Sequence, residues 1–343
     1  MSRINGLISI SVLLIMACVV VSACSDKEGG IALSVAPAQQ VGGSTMGTYW
    51  SALWVAEDEH SDVQQVLEAE LKRINTLMST WDPRSELSLF NASQSLEPAR
   101  LHDDTLSVID TALSISRLTA GRYDITLKPI IDLWGFSGDT ATPSPDQSAI
   151  DSALQLSGYR QLVRVGNTVR KRKPEVAIDV SSLAKGFAVD QLGAVLEAMG
   201  ITRYLVDIGG ELRARGARAD GLAWRVGVEN PDGDVLQLVA LQDTHIATSG
   251  SYRNYRTENG ERLSHIIDGA TGKPITHDLV SVSVVHKSVM LADAWATALL
   301  VVGRDEALDL MDEQALKAQL TFHRDGRFQQ ISSVEFAKLL VEQ

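Results

Sequence analysis

The sequence predicts an α/β fold of the α+β kind, with a mixed, largely antiparallel sheet and helices packed on it. Two observations carry this. Up to about residue 200 apolar residues recur at helical spacing, and beyond it they alternate with a period of two between glycine turns. No internal repeat or low-complexity segment breaks residues 41–343, which read as one domain of two intertwined lobes.

The chain opens with Met1-Ser-Arg3, an uncharged apolar run from Ile8 to Val21, and then Ala23-Cys24-Ser25. Residues 1–23 have the form of a signal peptide, with an apolar run short for a stable membrane span. Small residues leading directly into a cysteine resemble a lipobox. That resemblance implies acylation of Cys24, which becomes the mature N-terminus on the periplasmic side of a bacterial membrane. The inner membrane is favoured, and Ser25 leaves the outer one open. A plain signal anchor with incidental cysteines is the competing reading. Residues 24–40 are small, polar and aperiodic, which suits a flexible tether.

The domain starts near Val41. Ser61 and Gln64 suggest a capping box for a helix whose apolar face is Val63, Val66, Leu67, Leu71, Ile74 and Met78, ending before Trp81-Asp82-Pro83. A second helix is expected from about Asp104 to Leu118, stopped at Gly121. Thr140 to Asp146, with two prolines, reads as a loop. Val176 to Val180 reads as a strand leading into a third helix, which is capped by Ser181 or Ser182, buries Leu183, Phe187, Leu192, Leu196 and Met199, and stops at Gly200. Strands are then expected at 204–208, 211–215, 224–229, 236–241, 245–248 and 280–285. A fourth helix is expected over about Ala292–Val302, stopped by Gly303.

A formal net charge of −12 makes nucleic acid an unsuitable partner. Cleavage of residues 1–23 would remove Arg3 and leave the chain more acidic. The one basic cluster, Arg170-Lys171-Arg172-Lys173, reads as a solvated turn before Pro174. Cys18 and Cys24 are the only cysteines; processing would discard one and acylate the other, so disulfides, thiol catalysis and thiolate metal sites are excluded. None of the common nucleotide, zinc-protease or serine-hydrolase signatures occurs.

Asp293 and Thr297, at i and i+4, share one face of an otherwise apolar helix. Both are hard oxygen ligands of the kind Mg²⁺ takes, although a helix cap with a back-bonded threonine has the same spacing. Asp179-Val-Ser181-Ser182-Leu-Ala-Lys185-Gly186 sets an acid, hydroxyls and a lysine at a helix start, where phosphate can bind and where a simple cap with a surface lysine is equally natural. The segment from Thr248 to Arg253 reads as polar turn chemistry. His265 precedes an apolar pair and an acid-glycine turn, where it can serve either as a base toward a hydroxyl or as a structural histidine.

Taken together, eight blocks in order resemble the ApbE family of FAD:protein FMN transferases. They are Gly43-Ser-Thr-Met46-Gly-Thr48, Met78-Ser-Thr-Trp81-Asp-Pro, Gly121-Arg122-Tyr123-Asp124, Asp179-Val-Ser-Ser-Leu-Ala-Lys185-Gly, Val206-Asp-Ile-Gly-Gly-Glu211, Thr248-Ser-Gly-Ser-Tyr, Ser264-His265-Ile-Ile267-Asp268 and Ala292-Asp293-Ala-Trp-Ala-Thr297, spanning about Gly43 to Gly303. The resemblance implies a two-lobed arrangement akin to a T-fold. It implies that Met46, Trp81, Arg122, Tyr123, Asp124, Asp179, Lys185 and Ile267 line an FAD site. Asp293 and Thr297, with backbone oxygens of Ser182 and Ala296, would hold Mg²⁺, and His265 and Asp268 would stand beside the diphosphate, His265 as the base. Some relatives carry a second acid where this chain has Ala296. The implied reaction moves the FMN half of FAD onto a threonine or serine of an acceptor, such as a flavin-carrying subunit of a membrane redox pump or a related exported protein, and releases AMP. The alternatives are an Mg²⁺-dependent FAD pyrophosphatase and a non-catalytic FAD-binding lipoprotein.

Overall fold

An eight-stranded antiparallel sheet forms the frame: β1 (Ala38–Thr45), β2 (Thr48–Val55), β3 (Tyr204–Ile208), β4 (Glu211–Arg215), β5 (His245–Gly250), β6 (Leu279–His286), β7 (Lys317–Arg324) and β8 (Arg327–Ser332), lying side by side in chain order. This computed structural model describes residues 38–55, 60–136, 143–229, 235–252, 255–258 and 261–342. Cys24, Arg253 and residues 140–142 of the expected loop lie outside them. Between β2 and β3 come the helices α1 (Val63–Met78), α2 (Asp103–Leu118) and α3 (Ser181–Ala198), whereas α4 (Val289–Val302) and α5 (Arg304–Glu313) follow β6. Among the described residues no helix is long and apolar enough to cross a membrane.

Strand alternation divides the side chains between two cores. Tyr204, Val206, Ile208, Ala247, Val282 and Val284 face α3 and α4, which bury Leu183, Phe187, Leu192, Ala292, Ala296 and Leu299 against them. The intervening residues, Leu53, Leu205, Leu212, Ala214, Ile246 and Val285, cover the other face with Trp224, Val226, Val239 and Phe336, most of these from a smaller three-stranded sheet. Helices α3 and α4 cross at Gly186, where a Cβ would sit 2.5 Å from the Val289 carbonyl oxygen, so only glycine allows this approach.

Several local expectations change. The first strand begins at Ala38, inside the expected tether, because Ala38 pairs with Val55 across the hairpin. Helix α1 buries Val63, Leu67, Leu71, Ile74 and Met78, but Asp62 is its N-cap without a side-chain bond, and Gln64 bonds Glu68 at 2.9 Å, so no capping box forms. Nor do Ser181 and Ser182 cap α3: Ser181 is its first residue, and Asp179 takes the Ser181 N–H at 2.7 Å. Residues 176–180 form no strand. The Asn91 side chain takes the place of a neighbouring strand, bonding both the N–H and the carbonyl of Ile178 at 2.8 Å. Lys171 is not part of a solvated turn. It is the inward residue of a strand, Thr168–Lys171, and is 2% exposed, with its ammonium bonded to the carbonyls of Asn91, Ser93 and Pro174 at 2.9–3.2 Å. Short helices at Glu86–Ala92 and Gln147–Leu154 carry too few turns to show a clear sequence period.

Candidate functional site

The α3–α4 crossing places three charged groups together. Asp293 lies on α4 and is 3% exposed, with its Oδ2 accepting the Gly186 N–H at 3.0 Å. It does not cap its helix, because Ser288 does so by accepting the Leu291 N–H. One residue before Gly186, the Lys185 ammonium meets the Glu211 carboxylate at 2.6 Å. Burial pushes the Asp293 carboxyl well above the ordinary range, and the nearby Glu211 pushes it the same way, against the pull of Lys185. Burial likewise raises Glu211, with Lys185 opposing.

Thr297, one turn after Asp293, does not back-bond to its helix; its hydroxyl lies 2.8 Å from that of Ser249 on β5. Ala296 is fully buried and offers only its backbone oxygen as a donor. Ser182, in the first turn of α3, lies 2.9 Å by its hydroxyl from that of Tyr123, whose phenol is buried and therefore held in its neutral form. Among the described residues no three of histidine, cysteine, aspartate and glutamate converge on a metal-sized space. A cation at Asp293 would therefore have to draw on hydroxyl, backbone and ligand oxygens, which suits a hard ion such as Mg²⁺.

Arg122 is a brace. Its guanidinium bonds Asp268 at 2.8 Å, Glu306 at 2.8 Å and the carbonyls of Val301 and Val302 at the end of α4. Cation and helix dipole favour this pairing, and it fixes the turn at Asp268 to the helix that carries Asp293. His265 stands half-buried three residues earlier, beside the buried Ser264. Ile267 packs with Ile130, Trp134 and Ile150 and pairs with Pro274.

Asp124 spends its carboxylate within the chain. It accepts the N–H and hydroxyl of Thr126 at 2.7 Å and the N–H of Tyr159, while burial raises its carboxyl to about 6. Asp179 is tied to Ile125 by its backbone N–H, at 2.8 Å. The structure thus gives Arg122, Asp124 and Asp179 in-chain contacts that hold the positions of Tyr123 and Ser182.

Met46 forms the tip of the β1–β2 hairpin with φ +48, followed by Gly47 at +74, the left-handed pair that a tight two-residue turn needs. The adjoining Thr48 presses on Gly209, whose φ of +63 opens the β3–β4 turn before Glu211. Asn75 of α1 bonds Thr45 at 3.1 Å, and Trp81 stands 73% exposed on the loop after that helix. These contacts join Met46, Lys185, Asp293 and Thr297 into one end of the sheet, and join Ser182, Tyr123, Arg122 and Asp268 into an adjacent wall. Ile267 joins that wall as the strand neighbour of Asp268, whereas Trp81 stands apart on its loop.

Sequence reasoning placed no role on Glu211 or Ser249. The signal for Glu211 was present: an acid immediately after a glycine pair, in phase with the buried Tyr204, Val206 and Ile208 across the turn.

Comparison with known proteins points to one family. The sequence model of the ApbE family matches residues 46–320, beyond the Gly303 at which the motif blocks end. An FAD:protein FMN transferase of Vibrio cholerae is 37% identical over 314 residues, covering 89% of this chain and 94% of that protein. One from Escherichia coli is 35% identical, covering 88% and 89%. The solved structure of the flavin transferase ApbE from Vibrio cholerae superposes with a TM-score of 0.82 at 34% identity over 89% of this chain and 100% of that one. The apo flavinyl transferase of Pseudomonas stutzeri gives 0.81 at 31% identity over 88% and 96%.

Proposed function

Because the chain belongs to the ApbE family, we propose that it transfers the FMN moiety of FAD to a threonine or serine hydroxyl of an acceptor protein and releases AMP. The observation that carries this reading is the meeting of Lys185, Asp293 and Thr297 at the α3–α4 crossing, beside the wall that Arg122 and Asp268 build. The buried, under-compensated carboxylates fit a divalent cation. Held by Asp293, Thr297 and the backbone oxygens of Ser182 and Ala296, Mg²⁺ would supply positive charge against the diphosphate.

The chain's own residues do the rest. Lys185 adds a point charge at the start of α3, where free backbone amides already favour phosphate. Met46 and the exposed Trp81 offer apolar and aromatic surface to FAD, with the buried Tyr123 and Ile267 backing that site. His265 accepts the proton of the acceptor hydroxyl as its oxygen bonds to the FMN-side phosphorus. The bond from that phosphorus to the bridging oxygen breaks, and AMP departs with that oxygen. Acceptors are exported flavoproteins, including subunits of membrane redox pumps. The chain itself is held by a lipid on Cys24 at the periplasmic side of a bacterial membrane; Cys24→Ser should release it from membranes, and unchanged membrane retention would sink the anchor.

Incubating the chain with FAD, Mg²⁺ and a threonine-bearing acceptor domain should add the mass of FMN less one water to the acceptor, by intact-protein mass spectrometry, and EDTA should prevent it. AMP release with unmodified acceptor would replace the transferase by a hydrolase. His265→Ala should slow transfer by about 10²–10⁴ while leaving FAD binding intact. Parallel loss of binding and transfer would remove His265 from the role of base.

A further inference from the structure

Helix α4 supplies a single carboxylate to the cation site, since Ala296 has none to give. A second lies across from it. Glu211 opens β4 and is 2% exposed, and only one of its oxygens is satisfied: Oε1 takes the Lys185 ammonium at 2.6 Å, whereas Oε2 is buried with no hydrogen-bond partner among the described residues. Burying a carboxylate oxygen without a donor is costly, and burying it near a second carboxylate more so. The backbone that carries Glu211 is also fixed. Asp207 fastens the β3–β4 turn by accepting the Gly210 N–H at 2.8 Å, and Gly209 is pressed against Thr48.

Glu211 and Asp293 approach the same turn of α3, one from β4 and one from α4. They are also tied to adjacent residues of α3, Glu211 to the Lys185 side chain and Asp293 to the Gly186 N–H. One ammonium thus serves a pocket holding two carboxylates, with Asp207 adding negative charge from the turn. A group that brings positive charge to Oε2 would complete it.

We propose that Glu211 is the second carboxylate of the Asp293 cation site, binding the divalent cation through Oε2 while Lys185 holds Oε1. This rests on the reading that a cation sits at Asp293, and the test separates the two. The purified full-length chain, labelled with ¹³C at its glutamate carboxylates, is compared by infrared spectroscopy in EDTA and in Mg²⁺. A labelled glutamate carboxylate band should move together with an unlabelled aspartate band. The labelled band should be silent in Glu211→Gln, and calorimetry should find Mg²⁺ binding about 10–100-fold weaker in that variant.

Movement of the aspartate band alone, with Glu211→Gln binding Mg²⁺ within twofold of the parent, would overturn the role of Glu211 and leave the cation at Asp293. No band movement and no heat in the parent chain would overturn both. Should Glu211→Gln fail to fold, the labelled parent spectrum still decides. A Glu211 that merely braces Lys185 would lower the melting temperature in EDTA on substitution and leave the Mg²⁺ affinity unchanged.

Discussion

Two residues on one face of β4 meet the same helix and are treated in opposite ways. Arg213 is fully engaged: it donates to the Tyr204 hydroxyl at 2.8 Å, Asp190 at 2.9 Å and Glu197 at 3.0 Å. Asp190 in turn accepts the Ser288 hydroxyl and the Met290 N–H, which anchors the start of α4. Two residues earlier, Glu211 has an oxygen with no partner among the described residues, beside an Asp293 whose carboxyl burial raises well above the ordinary range. Both are buried ionic groups. In the first, Arg215, 3.5 Å from Glu197, adds a second cation so that each charge has its opposite, and the network fixes helices to sheet; in the second, negative groups are in excess, which costs stability unless a ligand completes them. A satisfied cluster reads as scaffold and an incomplete one as a binding site.

That contrast can be broken most severely at Asp293. Asp293→Asn should reduce FMN transfer to the level seen in EDTA, yet should not lower the melting temperature measured in EDTA, since the amide still accepts from Gly186 and an uncompensated acid is gone. A variant that unfolds would show this cluster to be scaffold like the other. Next in size, Arg213→Met should cost about 3 kcal/mol of unfolding free energy in urea. That is the lower end of the range for opening a buried ion pair, because Asp190 and Glu197 keep other donors. Transfer per folded molecule should change less than threefold. A large fall in rate with unchanged stability would reverse the assignment of scaffold and site.

The smallest effect concerns His245, the cross-strand partner of Arg213. It is 4% exposed, and burial, helped by Arg213, pushes its ring down to about 4. The folded chain therefore binds fewer protons here than the unfolded one. Stability from this group is present above about 6.5 and is lost as pH falls toward 4. Between pH 7 and 5 the parent should lose roughly 1–2 kcal/mol that His245→Gln retains, read from urea midpoints at both pH values. Equal losses would show that His245 remains neutral in both states or is accessible in the fold.

Much of the fold could be read from the chain because its signals are local. Helix α1 has a period of 3.6 over sixteen residues, and β3 alternates in burial up to a glycine pair. Residues 176–180 misled because a strand partner can be imitated: Asn91, remote in sequence, satisfies Ile178 without any strand. Lys171 misled because an inward lysine is tolerated once three carbonyls receive it, and those carbonyls lie up to 80 residues away. At the site, residue types and order were visible in Asp293, Thr297, Lys185 and His265. Whether Asp293 was a cap was not, since that depends on Ser288 taking the helix start.

By itself the sequence determined the family, the chemistry available to the site and the positions of the long helices and the paired strands, because composition, order and periodicity belong to the chain alone. Tertiary structure decided which charges are completed and which are left wanting. Glu211, Arg213 and Asp293 are all charged residues of ordinary type. Burial and partners brought from α3, α4 and the β3–β4 turn make one a brace and leave two incompletely partnered, because the free energy of a buried charge is set by what surrounds it.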